Sequence, residues 1–355
     1  SSKTSYIQDA WRVDVAYPEW FGASSNPMFD SRHAIQQCID VFKKAKLNGQ
    51  YYLLSADENG NGIVLPASSS LSGDNMQVNQ HPSYDICDNT IFARSKDIKT
   101  IVSVGSRCIV KNIAIVGNNT SFSLDNKIVA LYSYNTSRLT IENVDITYCY
   151  KAIDMATYMS HFNKVMCHKV VEGVNLHGLN NSPETTLTLT NCFVYDFRLV
   201  GFKVEYLYGV VFNACGCDSD NKKFTLSDGS SYLGAFYLRN LIAASLVECG
   251  IEDVCKALTM DFCINTEVNM YRLGSYTKEY DVLYSNDINV TNCRECTLKY
   301  YGRLLNIPKN FKHINYKVSD STNNYFYNIN PSEVKCYNMR WGLSAENASQ
   351  TIHYY

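Results

Sequence analysis

The sequence predicts an all-β fold: a right-handed single-stranded parallel β-helix with a short N-terminal capping helix and a C-terminal β-rich segment. Three observations carry that expectation. Only 19% of the 355 residues are charged, whereas 35 are Asn and 27 are Tyr; Asn tolerates left-handed turn geometry and Tyr favours strands. A small residue followed by apolar-x-apolar recurs along the middle of the chain with a steady base period. One segment alone has the period of an amphipathic helix.

Residues 1–29 lack a helical period and contain Tyr17-Pro18-Glu19-Trp20-Phe21-Gly22-Ala23, which reads as an N-terminal linker or cap. Over residues 30–47 the apolar positions Ala34, Ile35, Cys38, Ile39, Phe42 and Ala45 keep a three-to-four spacing. They predict a capping helix that starts at Asp30 or Ser31 and ends at Asn48-Gly49. Strands are expected at 51–54 and 62–66.

The repeat follows as Ala152-Ile153-Asp154-Met155, Gly173-Val174-Asn175-Leu176, Gly201-Phe202-Lys203-Val204, Ala235-Phe236-Tyr237-Leu238 and Ala257-Leu258-Thr259-Met260. From Ile153 to Val174, and again from Phe236 to Leu258, the step is about 22 residues, which sets the base unit. The steps from Val174 to Phe202 and from Phe202 to Phe236 are longer, and Leu305-Asn306-Ile307 is a further candidate. A second recurring strand carries Asn beside a small or thiol residue, as in Asn191-Cys192, Asn213-Ala214-Cys215 and Asn292-Cys293. Two or three short strands per period without a helix match one coil of a parallel β-helix, whereas a leucine-rich or helical repeat would show its own frame. The longer steps place insertions in 177–186 and 218–232, and inserted loops on a solenoid tend to line its binding face. The β-helix therefore runs over 30–310, and residues 311–355, crowded with aromatics from Tyr316 to Tyr355, form a C-terminal capping or trimerisation segment.

Fourteen cysteines in a chain with ample core read as buried thiols of a protein folded in a reducing cytoplasm, not as a disulfide framework. Cys293-Arg-Glu-Cys296 is the only C-x-x-C, and a structural zinc site needs two such pairs. Neither metal nor cofactor is expected. The net charge of −2 argues against a general nucleic-acid binder. There is no apolar run of membrane-spanning length, and the polar start Ser1-Ser2-Lys3-Thr4 is not a signal peptide. Phosphate-loop, metalloprotease and serine-hydrolase motifs are absent.

The order of Pro18-Glu19-Trp20-Phe21-Gly22-Ala23, Asp30-Ser31-Arg32-His33-Ala34-Ile35-Gln36-Gln37-Cys38-Ile39-Asp40 and Gly62-Ile63-Val64-Leu65-Pro66-Ala67 resembles the entry to pectate-lyase-type β-helices of bacteriophage tailspikes. The likeness is specific over about the first 70 residues and continues only as coil pattern over the next 240. Two departures stand out: Ser24-Ser25-Asn26-Pro27-Met28-Phe29 replaces the family's Gly-Asp-Gly loop, and Ser68 replaces a glycine. The resemblance implies a homotrimeric virion spike, attached to the phage tail or baseplate, that binds and usually cleaves a bacterial surface polysaccharide.

In each apolar-x-apolar strand the apolar residues point inward and the others outward, and coils stack about 4.8 Å apart. Two outward rows result: Asp154, Asn175, Lys203, Tyr237, Thr259, and Ala156, His177, Glu205, Arg239, Asp261. Glu205 and Asp261 lie two coils apart, roughly 9–10 Å, with Arg239 between them. That is near the separation at which one carboxyl protonates a glycosidic oxygen while the other activates a water. Tyr237, His177, Lys203, Asn175 and Asp154 are expected to bind sugar hydroxyls or an acidic substituent. A polysaccharide lyase could use the same face, with Tyr237, His177 or Lys203 as base and Arg239 neutralising a uronate. A non-catalytic receptor-binding spike is a third reading, in which Glu205–Arg239–Asp261 is a surface ion-pair ladder. Competing carboxylates are Asp196, Asp218, Asp220, Asp228, Glu248, Glu252 and Asp253.

Overall fold

The computed structural model describes residues 13–26, 28–48, 51–74, 89–93, 95–179, 184–219, 233–252, 254, 256–273 and 288–302, and the strands Tyr316–Ser319, Asn324–Ile329, Cys336–Trp341 and Thr351–Tyr354. Its one α-helix, α1 (Arg32–Phe42), buries Ala34, Ile35, Cys38 and Ile39 against the first strands. Ser31 is the N-cap, yet its hydroxyl turns back to donate to the Ser24 carbonyl at 3.0 Å. Asp30 supplies the cap instead. Its Oδ1 accepts the Arg32 N–H at 3.0 Å and the Ser55 N–H at 3.1 Å, so one carboxylate ties the helix start to the next strand. Burial alone would raise the Asp30 pKa, but hydrogen bonds from Ser55 and Arg32 hold it below its ordinary value.

The helix is shorter than its pattern predicts. Lys43 adopts a left-handed conformation (φ 58°) and its N–H closes on the Ile39 carbonyl, so the helix stops there and not at Asn48-Gly49. Lys44–Lys46 is already a strand, paired in parallel with Ser70–Ser72. Ala45 is buried as expected, but in a strand whose alternation also fits that position.

From here the chain winds into three stacks of parallel strands. In the first, Asn61–Leu65, Thr100–Val104, Val129–Ser137, Lys151–Tyr158, the end of Ser160–His177, the end of Phe193–Glu205, Gly234–Arg239, Leu258–Asp261 and Ile288–Thr291 pair in succession. Ile153, Val174, Phe202, Phe236 and Leu258 stand in register on consecutive rungs, as the repeat predicts, and Ile63, Val102 and Leu131 extend the column downward. Upward, the next described rung is Ile288–Thr291, and then Tyr316–Ser319; the candidate at Leu305-Asn306-Ile307 lies outside the described residues. Within the second stack run Ser70–Ser72, the start of Thr140–Thr147, Glu184–Thr190, Leu207–Asn213 and the start of Glu267–Leu273, and within the third Tyr51–Leu54, Thr90–Ala93, the end of Thr140–Thr147, Gly216–Asp218 and the end of Glu267–Leu273. Parallel pairing persists through Asn324–Ile329, where Cys336–Trp341 and then Thr351–Tyr354 add in antiparallel sense. The boundary expected at 310 lies outside the described residues.

Corners between stacks repeat a left-handed residue. Asn112, Asn143, Lys164, Asn191, Ala214 and Glu248 all have φ between 50° and 55°. Asn suits this geometry because its short polar side chain bonds locally. The Asn143 amide also donates to Asn112 Oδ1, one coil below, at 2.9 Å. Asn292 belongs to a different corner from the one its sequence suggests. Asp261 pairs with Thr291 and the Phe262 N–H reaches the Thr291 carbonyl, which aligns Asn292-Cys293 with Phe262-Cys263.

The column of inward residues fills the centre with fully buried Phe202, Phe212 and Phe236, the first and last stacked at 5.0 Å and Phe212 edge-on to both. Cys38, Cys108, Cys149, Cys167, Cys192, Cys215, Cys217, Cys249, Cys263, Cys293 and Cys296 are all buried and free. At the small-residue position coils approach closely: a Cβ on Gly201 would lie 2.4 Å from Cys217 Sγ and 2.7 Å from the Ala235 carbonyl oxygen.

Two stability outcomes follow. Phe202→Ala removes one ring of the stacked pair and leaves a cavity, so chemical denaturation should read a loss of about 3–5 kcal/mol. Gly201→Val cannot be housed without parting two coils; soluble yield and circular dichroism should show failure to reach the native stack, while the exposed control Val41→Ala on α1 leaves both unchanged.

Candidate functional site

The first strand stack turns its polar residues to one face. Register places Tyr132, Asp154, Asn175, Lys203, Tyr237 and Thr259 on consecutive rungs, and His177, Glu205, Arg239 and Asp261 on consecutive rungs beside them. Both predicted rows are thus in register, with corrections: in the first row Asn175 and Thr259 are buried, at 4% and 8% exposure, not turned out to solvent. Ala156 does not open the second row: the register shifts between Met155 and Thr157, and Ala156 is fully buried.

Two charge clusters share this face. In the lower one, Lys151 Nζ lies 2.9 Å from Asp154 Oδ2 and 4.0 Å from Glu172 Oε2. Asn175 donates to Asp154 Oδ1 at 2.8 Å, and His177 Nε2 approaches that same oxygen at 3.5 Å. Burial opposes ionisation of Asp154, but the His177 hydrogen bond and the Lys151 ammonium outweigh it and hold the carboxyl below its ordinary range. Asp154 in turn raises the His177 pKa, against the opposing effect of burial. Glu172 moves the other way. Its burial raises the pKa despite Lys151 and Lys203, so two carboxyls on one ammonium are pushed apart in acidity.

The upper cluster is a continuous ion-pair row. Lys203 Nζ sits 2.9 Å from Glu205 Oε2, and Arg239 reaches Glu205 Oε1 at 3.9 Å and Asp261 Oδ2 at 3.5 Å. Asn292 donates to Asp261 Oδ1 at 3.3 Å. The two carboxylates proposed from sequence therefore flank the guanidinium of Arg239, whose side chain is 39% exposed. Burial, then the Glu205 charge, push the Tyr237 phenol above its ordinary pKa, so it remains a proton donor at neutral pH.

Sequence reasoning missed Lys151 and Glu172. Both precede the small residue of their strand and stand two positions before the inward Ile153 and Val174, where strict alternation would turn them inward. It also missed a small cleft on the third stack, lined by Phe193, Tyr195, Asp218, Glu252 and Tyr271. There burial and the Asp218 and Glu252 charges raise the Tyr195 pKa. Asp196 and Glu248 occupy left-handed corners, while Asp220, Asp228, Asp253 and most of the two expected insertions lie outside the described residues. Among the described residues no group of three or more His, Cys, Asp or Glu side chains could hold a metal ion. No described helix is long and apolar enough to cross a membrane.

No protein-family model matches the sequence, and no curated protein does. Solved structures do match in fold. A DFA-IIIase from Arthrobacter chlorophenolicus A6, solved in complex with DFA-III, has a TM-score of 0.59 at 8% identity over 88% of this chain and 84% of its own. The gp42 tailspike of an Acinetobacter phage gives 0.53 at 15% identity, covering 97% of this chain and 67% of that one. The enzymatically active domain of bacteriophage CBA120 tailspike protein 2 gives 0.53 at 12% identity, over 83% of this chain but only 43% of its partner. With its three parallel strand stacks, the chain has the parallel β-helix fold of these phage tailspikes and related proteins.

Proposed function

We propose that the chain is part of a phage tailspike that binds a bacterial surface polysaccharide, whether capsule, O-antigen or exopolysaccharide, and cleaves its internal glycosidic bonds by hydrolysis. The observation that carries this reading is the register-aligned outward face from Asp154 to Asp261, which sets carboxylates, cations, an amide and a phenol along the axis at rung spacing. A polysaccharide is a linear ligand, and such a row meets successive sugars with successive groups. The likeness in fold to phage tailspikes and to the DFA-IIIase supports the same reading.

In this scheme Glu205 and Asp261 are the catalytic carboxyls, two rungs apart at roughly 9.6 Å, near the separation that leaves room for an attacking water. One protonates the leaving oxygen and the other takes a proton from that water, while Arg239 holds both in place. Tyr237, Lys203, His177 and Asp154 bind the flanking sugars, and the buried Asn175 holds Asp154 in place through its amide. The raised Tyr237 pKa suits that phenol to hydrogen-bond donation, so a lyase on the same face would draw its base from His177 or Lys203.

The wider assignment also belongs to the proposal. Residues 1–29 form a linker or cap, 30–310 a right-handed β-helix with α1 as its cap, and 311–355 a capping or trimerisation segment of a homotrimer in the virion. Assembly in the host cytoplasm fits the buried free thiols.

Incubation with purified host polysaccharide tests the reaction. Hydrolysis should yield new reducing ends without the ultraviolet absorbance of an unsaturated uronate; absorbance would indicate elimination, and neither signal with retained binding would leave a receptor module. Glu205→Gln and Asp261→Asn should each lower turnover by about 10²–10⁴-fold with binding retained; full activity in either removes it from the pair.

The His177–Asp154 contact sets a pH window. A raised imidazole pKa means its contribution is complete below the unfolded histidine pKa and is lost as pH rises through the folded value. The lowered Asp154 pKa makes that partner's contribution complete above the unfolded carboxyl pKa and lost as pH falls through the folded value. Folding stability should therefore fall as pH rises through the His177 titration, and denaturation curves of His177→Gln across pH should find that limb flat.

A further inference from the structure

At the foot of the outward face opens a cleft of about 790 Å³ that none of the groups above explains. Its walls are the turns that lead into the lower rungs of the first stack: Lys96, Ile98 and Lys99 on one coil, and residues 118–128 on the next. The volume lies within the ~300–1,000 Å³ typical of ligand sites. Lys96, Lys99 and Lys127 all line it, whereas Asp125 is the only carboxylate in its lining. Among the described residues none of the three ammonium groups is ion-paired. The nearby Asp97 is engaged by the Ser95 hydroxyl at 3.0 Å. In a chain of net charge −2, three lysines against Asp125, without an ion-pair partner among the described residues, give this concavity a local field of the opposite sign.

The wall is held in shape before any ligand arrives. Asn119, 1% exposed, donates to the Ser123 and Asn126 carbonyls and accepts the Ser123 N–H. Asn126 donates to Asn118 Oδ1 at 2.9 Å, and Arg198 reaches down from a higher coil to the Phe122 carbonyl at 2.7 Å. Such a pre-formed loop loses little entropy on binding. The cleft also joins the proposed groove. Lys127 Nζ lies 3.9 Å from the Tyr150 ring centroid, and both Tyr150 and Lys151 donate their N–H groups to the Ile128 carbonyl. One step further along the axis stands the Lys151–Asp154 pair.

We infer that this cleft is an anion-recognising subsite that binds a carboxylate-bearing sugar residue of the polysaccharide, with Lys96, Lys99 and Lys127 meeting the negative charge and Asn118, Ser121 and Ser123 its hydroxyls. The inference rests on the proposed reading of the outward face as a polysaccharide platform and names the class of polymer that platform takes.

The probes are oligogalacturonate and, as a neutral control, dextran oligosaccharide of matched length, with affinity read by calorimetry at low and at high salt. The intact chain should bind the uronate at least about tenfold more tightly than dextran, with the difference shrinking as salt screens the ammonium groups. Lys96→Gln, Lys99→Gln and Lys127→Gln combined should abolish that difference without changing the thermal melt, while Lys43→Gln, Lys111→Gln and Lys164→Gln, all exposed elsewhere, should preserve it. Equal affinity for the two probes, no binding of the uronate, or undiminished binding by the first triple variant would overturn the assignment. Cleavage of a neutral host polysaccharide with no uronate binding would retire this subsite and leave the depolymerase reading standing. Uronate binding that depends on the three lysines, without cleavage of any host polymer, would do the reverse.

Discussion

Everything in this molecule depends on parallel backbone pairing between consecutive coils. Each rung fixes the next about 4.8 Å along the axis with side chains on the same faces, so a residue's neighbours are set less by sequence distance than by coil register. Asp154, Asn175, Lys203 and Tyr237 are unevenly spaced along the chain, each interval longer than the one before, yet they form one row. The insertions between them leave at the corners and return in register. The central column obeys the same rule from the inside: Phe202 and Phe236 stack because their rungs do.

That constraint gives the corners their chemistry. A coil must turn sharply at the end of each strand and still present its N–H and C=O groups to both neighbours, and left-handed residues accomplish this. Asn is the natural choice, since it accepts φ near 55° and its amide can bond the equivalent residue below, as Asn143 does with Asn112. Where Lys164, Ala214 or Glu248 takes the same place, surrounding pairing imposes the conformation against the side chain's preference. Part of the high Asn content is thus a record of turns: Asn89, Asn112, Asn135, Asn143, Asn191, Asn240, Asn265 and Asn292 all take this left-handed conformation.

The strand rows are legible in the amino-acid sequence because alternation and a recurring base unit suffice to give both the inward column and the outward rows. The rungs below Leu131 are hidden by longer intervals: the steps from Ile63 to Val102 and from Val102 to Leu131 both exceed the base period. The helix end escapes the pattern because Ala45 satisfies a helical and an alternating arrangement equally, and only the left-handed Lys43 decides between them. Lys151 and Glu172 escape because they stand two positions before the inward Ile153 and Val174, where alternation would turn them inward. Their contact through space, like the cleft between two turns, is a property of neighbouring coils that no single stretch of sequence contains.

The cysteines show what this architecture does to time as well as to space. Distributed along the coils at Cys108, Cys149, Cys167, Cys192, Cys249 and Cys293, each thiol is accessible in an unwound chain and sealed once its own coil is covered by the next. Burial pushes the Cys149 and Cys249 pKa values up, so these two thiols remain protonated and unreactive. Winding therefore withdraws sulfur from solution one layer at a time, and the unreacted thiol content of a partly assembled molecule is a running tally of how far its stack has closed.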